Sequence, residues 1–294
     1  MAKVDVGVAC SGFQVPEWWT NFANEVLSSE RAGVTIGSLL TISSALPDHS
    51  KNNILTYHPF NPEDKKRISL TDANRVKMAK LFLDGDADYL FTIDDDTKPP
   101  TGALVRMLNL KRDAVSGLYF NPKPPNNPLA YIRREDGLYH AYYGYTKGAL
   151  EQVDSVGMGC TLIHRSVFQK IRDSYRVFQR PNGSLVPIHK DDITFDSDTR
   201  LKPAKEMVVN WVLMIPVKPV EDSEDENRAF PFFSLEYGRT EDHHFWEMAN
   251  RVGVRPWVDT TIICDHIKPR AITDKHYYEF IAKAKAELEN ARQG

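Results

Sequence analysis

Three consecutive carboxylates, Asp94, Asp95 and Asp96, stand at the end of the apolar run 89–93 (YLFTI), and Pro99-Pro100 follow them closely. The run reads as a buried strand, and the proline pair stops its continuation. Adjacent acids repel one another, so something must offset their charge. Ligands of open α/β sheets sit at the C-terminal ends of strands. A hard divalent cation bridging to a phosphate would supply the positive charge. A solvated acidic turn is the competing reading of the same three residues.

Three further stretches could act with this triplet. Gly157-Met158-Gly159 would let backbone approach a ligand closely, because two of the three residues lack a side chain. Glu241-Asp242-His243-His244 falls at a helix start, where the helix dipole favours negative charge. Cys264-Asp265-His266 places an imidazole just after an apolar strand.

The elements that must carry these residues alternate between strand and helix. Residues 4–10 read as a first strand, 15–29 as an amphipathic helix and 34–43 as a second strand, which predicts a parallel pair with a right-handed crossover. Residues 44–67 read as loop with room for one short strand, and 73–83 as a helix whose N-cap is offered by the stretch Ser69-Leu70-Thr71-Asp72. A short helix over 102–109 and a strand over 114–120 follow the acidic turn. The proline-rich 121–128 is a loop, 129–153 an antiparallel excursion turning at Gly137 and Gly144, 156–164 one strand, and 166–175 a helix. The polar 179–205 reads as either an ordered lid or a disordered loop, 206–217 as a strand or docked segment, and 221–227 as a solvated charge run. A helix capped by Thr240 spans 240–252, a short strand 254–258, and an amphipathic helix 274–292. This order predicts one α/β domain.

The chain has 294 residues, 41% hydrophobic and 26% charged, ample for a single large core. Its net charge of −3 gives no general attraction to nucleic acid or anionic membrane. Three cysteines, Cys10, Cys160 and Cys264, lie far apart with no zinc-type spacing, and the first and last fall in apolar runs that predict core positions. With neither an apolar leader nor a run of about 18 apolar residues, the chain reads as soluble and cytoplasmic.

The segments ADYLFTIDDDTKPP (87–100), VGMGCTLIHRSVF (156–168), GRTEDHHFWEMANRVGVRPWVD (238–259) and CDHIK (264–268) occur in an order that resembles the GT-A-type nucleotide-sugar glycosyltransferases, particularly the inverting, family-2-like ones. The resemblance implies a Rossmann-like, mainly parallel mixed sheet flanked by helices, with insertions in the second half. It divides residues 1–294 into a nucleotide-sugar-binding half (1–120), an acceptor and catalytic half (121–270) and a C-terminal helix (271–294). It implies a UDP-sugar or related donor and a Mn²⁺ or Mg²⁺ ion. Asp94 and Asp96 match its DxD pair, with Asp96 toward the metal, Asp94 on the metal or the ribose, and Asp95 toward the donor or turned away. His266 would complete the ligands, which suits Mn²⁺ because imidazole is softer than carboxylate. Asp242 matches the base that deprotonates the acceptor hydroxyl, with Glu241 as competitor, while His243 and His244 have no assigned role. Ala9, Cys10 and Ser11 would line the donor base and ribose, and Arg75 with Asn74 matches a basic residue near the nucleotide. Lys268 and Arg270 would clamp the diphosphate. Gly157, Met158 and Gly159 would face the acceptor.

The insertions 120–155 and 179–228 would shape that acceptor site, so the acceptor class stays open: glycan, protein, lipid head group or modified nucleic-acid base. No QxxRW-like signature of processive synthases follows the Glu-Asp pair. Two other functions are weighed: a nucleotidyltransferase, which would carry a basic, glycine-rich loop where Ser11-Gly12-Phe13-Gln14 stands, and a catalytically inactive nucleotide-sugar-binding protein.

Overall fold

A computed structural model describes residues 2–10, 16–43, 70–122, 124–179, 185–195, 201–202, 218–219, 230–234 and 239–267. Readings that fall on 44–69, on 206–217, on 221–227 and on 274–292 lie outside them, as do Ser11, Lys268 and Arg270.

The first half builds β1 (Lys3–Cys10), α1 (Pro16–Arg31), β2 (Thr35–Ser43), α2 (Leu70–Asp84), β3 (Tyr89–Asp94), β4 (Thr97–Lys98), α3 (Ala103–Asn109) and β5 (Ala114–Leu118). The second half adds β6 (Ala130–Arg133), β7 (Tyr139–Ala141), β8 (Leu150–Gln152), β9 (Ser155–Val156), β10 (Cys160–His164), α4 (Arg165–Ser174), β11 (Tyr175–Gln179) and β12 (Leu185–His189). After these come β13 (Thr194–Phe195), β14 (Leu201–Lys202), β15 (Lys218–Pro219), α5 (Glu241–Arg251), β16 (Trp257–Ile263) and β17 (Asp265–His266).

Seven strands form one mixed sheet in the order β2-β1-β3-β10-β5-β16-β8. β1 is parallel to β2 and β3, and β5 is parallel to β16, while β10 runs antiparallel to both β3 and β5 and β8 antiparallel to β16. Strands β2, β1, β3, β5 and β16 therefore share one direction, and their C-terminal ends open on the same edge. The fold is the expected α/β one, a mainly parallel mixed sheet with helices packed on it.

The central strands β3, β10 and β5 are buried on both faces, which is why β3 reads as an apolar run rather than as an alternating one. Val4, Val6, Val8, Phe91, Ile93 and Leu162 pack with Phe22 of α1 and Leu104 and Met107 of α3. On the opposite face Leu90 and Ile163 pack with Met78 and Phe82 of α2, Phe168 of α4, and Phe245 and Trp246 of α5. Two charged side chains, the buried Glu25 and the part-buried Arg165, lock helices in place. Glu25 on α1 accepts the amides of Gly102 and Leu104 at 2.6 and 2.7 Å, so it caps α3. Arg165 donates to the carbonyls of Phe82, Leu83 and Ala87 at 2.7, 3.1 and 2.6 Å, which occupies the acceptors that the end of α2 cannot satisfy internally.

The structure departs from the sequence reading at two places. Residues 156–164 are not one strand: β9 pairs with β6, and β10 begins only at Cys160. The break falls at Met158 and Gly159, whose amides turn to Asp242 and to the Tyr119 hydroxyl, while the Gly157 amide still bonds to the Leu129 carbonyl. The strand placed over 254–258 begins instead at Trp257 and continues to Ile263, since Val254 and Pro256 serve α5 and Val153: the Val254 amide closes α5 on Ala249, and the Pro256 carbonyl accepts from Val153. Within 179–205 the described part is ordered, with β12 paired to β11 and a short 3-10 turn at Lys190–Asp192. Among the described residues no helix is long and apolar enough to cross a membrane.

Candidate functional site

The C-terminal ends of the co-directed strands bring the singled-out residues together. Ala9, at the end of β1, pairs with Asp94 at the end of β3, and its carbonyl accepts the Asp95 amide at 3.3 Å. Asp95 itself is buried at 4% exposure, whereas the side chains of Asp94 and Asp96 keep 28% and 22%. The triplet is thus divided, with its two outer acids toward the open edge and its middle one inward.

His266 reaches the triplet through a two-residue ribbon. β17 pairs antiparallel with β4, His266 opposite Thr97, and the Ile267 amide bonds to the Asp96 carbonyl at 2.6 Å. The His266 Nδ1 lies 2.9 Å from the Phe120 carbonyl oxygen, which can only accept, so Nδ1 carries the proton. The other ring nitrogen, Nε2, is then presented to Asp96 Oδ2 at 3.2 Å. Fixing one imidazole nitrogen on a carbonyl to aim the other is how proteins orient metal-binding histidines. Two neighbouring ligands of one octahedral ion, each about 2.1 Å from it, also lie roughly 3 Å apart. The pair would therefore fit two adjacent positions of a divalent ion.

Asp94 does not join that pair. Among the described residues no group of three His, Cys, Asp or Glu side chains converges to hold an ion. Arg75 engages Asp94 instead, with Nη2 donating to Asp94 Oδ1 at 2.9 Å. Arg75 is neither a surface residue nor an isolated one: it is 4% exposed, its Nη1 bonds to Asp242 Oδ1, and Glu241 Oε1 lies 3.7 Å from the same nitrogen. Burial works against its charge, yet the facing Asp94 and Glu241 raise the guanidinium pKa above its ordinary value.

Asp242 is placed by α5. Thr240 caps that helix by accepting the His243 amide, and the Trp246 indole and Asn250 amide hold it to the carbonyls of Val156 and Asp154 at 2.8 and 2.7 Å. This pins the first turn over the glycine loop, where Asp242 Oδ2 meets the Met158 amide at 3.3 Å. Asp242 and Glu241 are both partly accessible, and of the two Asp242 makes the closer contacts. His243 turns away from the acids: it stacks on Tyr139 with ring centroids 4.4 Å apart and bonds to Ser155 Oγ at 2.7 Å. Burial, reinforced by Arg239, lowers its pKa to about 4, so it is a neutral packing residue at physiological pH. His244 is buried in the same helix.

Tyr119 is a functional candidate that sequence reasoning missed. It follows β5 directly, and its buried hydroxyl accepts the Gly159 amide at 2.7 Å. Burial, with Asp94 close by, pushes its pKa well above the usual phenol range, so it stays neutral. The glycine pair was the available signal. A Cβ on Gly157 would collide with the Tyr119 hydroxyl, and one on Gly159 would lie 2.8 Å from that hydroxyl, 2.9 Å from Thr97 Oγ1 and 3.0 Å from Asp94 Oδ2. Gly159→Ala should therefore cost roughly 1–3 kcal/mol of stability, the range of other overpacked sites, with loss of Asp94 placement. Urea unfolding checks this; a stability unchanged from wild type would contradict so tight a packing.

No protein-family model matches the sequence, and no curated protein matches it. Among solved structures, the chain aligns with "Crystal Structure of A197 from STIV" at TM-score 0.42 and 11% identity, over 92% of this chain and 87% of that one. It aligns with "Crystal structure of GalNAc-T7 with UDP, GalNAc and Mn2+" at TM-score 0.46 and 11% identity, over 91% of this chain and 44% of that one. This chain thus spans less than half the length of the second structure. At such scores neither likeness carries an argument about function, which rests on the site itself.

Proposed function

We propose that this chain is a metal-dependent inverting glycosyltransferase that moves a sugar from a nucleotide-diphosphate donor, a UDP-sugar, to an acceptor hydroxyl. The observation that carries the reading is the meeting of Asp242 with the acid turn, 167 positions from Arg75 in sequence yet bonded to the same guanidinium as Asp94. A candidate base and a candidate diphosphate site thereby share one edge of the sheet, as a displacement reaction at the anomeric carbon requires.

Asp96 and His266 would hold the ion, and Mn²⁺ suits their mixed oxygen and nitrogen set. When bound, the ion supplies charge neutralisation for the departing diphosphate without any proton transfer. Asp94, tied to Arg75, would take the ribose side of the donor beside Ala9, with Lys268 a further candidate for the diphosphate. Asp242 accepts the acceptor's hydroxyl proton as that oxygen forms its bond to the anomeric carbon. The bond from that carbon to the diphosphate oxygen breaks with its electron pair on the leaving group, so the anomeric configuration inverts. Gly157, Met158 and Gly159 bring backbone close to Asp242 on the acceptor side, and buried Tyr119 fixes that loop.

A thermal-shift screen of nucleoside diphosphates tests the reading. UDP with Mn²⁺ should raise the melting temperature and UDP with EDTA should not; saturation at 100 times Kd corresponds to about 2.7 kcal/mol. Stabilisation by nucleoside triphosphates alone, with pyrophosphate release, would favour a nucleotidyltransferase instead.

A further inference from the structure

The guanidinium of Arg75 has a geometry that donor binding alone does not explain. Its two terminal nitrogens point at carboxylates from different elements: Nη2 at Asp94 on β3, 2.9 Å away, and Nη1 at Asp242 on α5. Asp242 is held from its other side by the Met158 amide, so both of its oxygens have a fixed direction. The helix that carries Arg75 is itself anchored, since Arg165 binds the carbonyls at its far end. With 4% of its surface exposed, the side chain has little room to turn.

Resting on the reaction proposed above, we infer that Arg75 is a positioning residue: it fixes the orientation of the acceptor base Asp242 and ties that base to the donor-side acid Asp94. A planar fork can bond two carboxylates in diverging directions at once, and an ammonium cannot keep both geometries. Arg75 therefore acts on transfer through Asp242 and not by holding the nucleotide. Glu241, 3.7 Å from the same nitrogen, adds charge balance without a close bond.

The test uses the full chain as wild type, Arg75→Lys, Asp242→Asn and the double variant. UDP affinity with Mn²⁺ is measured by calorimetry, and transfer kinetics are measured with a UDP-sugar. Arg75→Lys should leave the UDP Kd and the donor KM within about threefold while kcat falls roughly 10²-fold, the scale of a misplaced general base. The double variant should be no slower than Asp242→Asn alone, because residues acting as one unit are not additive. Loss of UDP affinity in proportion to kcat would make Arg75 a donor ligand and overturn the inference. Multiplicative losses in the double variant would overturn it as well.

A second readout needs no activity. In urea unfolding of the same four proteins, Arg75→Lys should lower the folding equilibrium constant several-fold more when Asp242 is present than when it is Asn. An additive cycle would show that the two side chains are not linked, whatever the reaction. If wild type binds no UDP, the glycosyltransferase reading fails while this cycle still reports on the Arg75–Asp242 link.

Discussion

Asp242→Asn should retain UDP binding with Mn²⁺ while transfer falls by roughly 10²- to 10⁴-fold, the usual contribution of a positioned general base. Asn is nearly isosteric with Asp and its single amide oxygen can still accept from Arg75, at the loss of the weaker bond from the Met158 amide, whose partner becomes an NH2. What it cannot do is take a proton from the acceptor. The donor-side groups, Asp94, Asp96 and His266, are untouched by the change. Donor affinity and turnover should therefore separate, and calorimetry with a UDP-release assay reads both. A parallel loss of the two would mean that Asp242 supports the site's structure. Retention of both would move the base to Glu241, whose carboxylate stands 3.7 Å from the same guanidinium.

The second large effect concerns the ion. Excess EDTA should abolish transfer, and Asp96→Ala should do so even with added Mn²⁺. His266→Ala should weaken apparent Mn²⁺ affinity by at least the 10- to 100-fold seen when a metal ligand's supporting partner is lost. The argument rests on the fixed tautomer: Nδ1 is committed to the Phe120 carbonyl, which leaves Nε2 at 3.2 Å from Asp96 Oδ2. Measuring transfer against Mn²⁺ concentration for each variant tests the assignment. Full activity in excess EDTA would end it.

Much of this arrangement is legible in the chain because it follows from local pattern. The run 89–93 is apolar without alternation, as a strand buried on both faces must be, and the acids end it where a strand meets an open edge. Thr240 ahead of two acids marks the start of α5, since its hydroxyl and their charge both suit exposed amides. Other features were not legible. The segment 156–164, VGMGCTLIH, reads as one glycine-punctuated strand, yet the ladder breaks at Met158 and Gly159, where the Gly159 amide meets the Tyr119 hydroxyl. Tyr119 itself sits in AVSGLYF, where an aromatic residue suits a strand and nothing local marks its hydroxyl.

The sequence by itself determined most of the strand and helix order, the acid turn after β3 and the charged start of α5, because each depends on residues a few positions apart. The tertiary structure alone decided which charges meet. Arg75 and Asp94 lie on the consecutive elements α2 and β3, whereas Asp242 lies on α5 far along the chain, and the sheet order with the packing of α2 and α5 against it brings all three within bonding range.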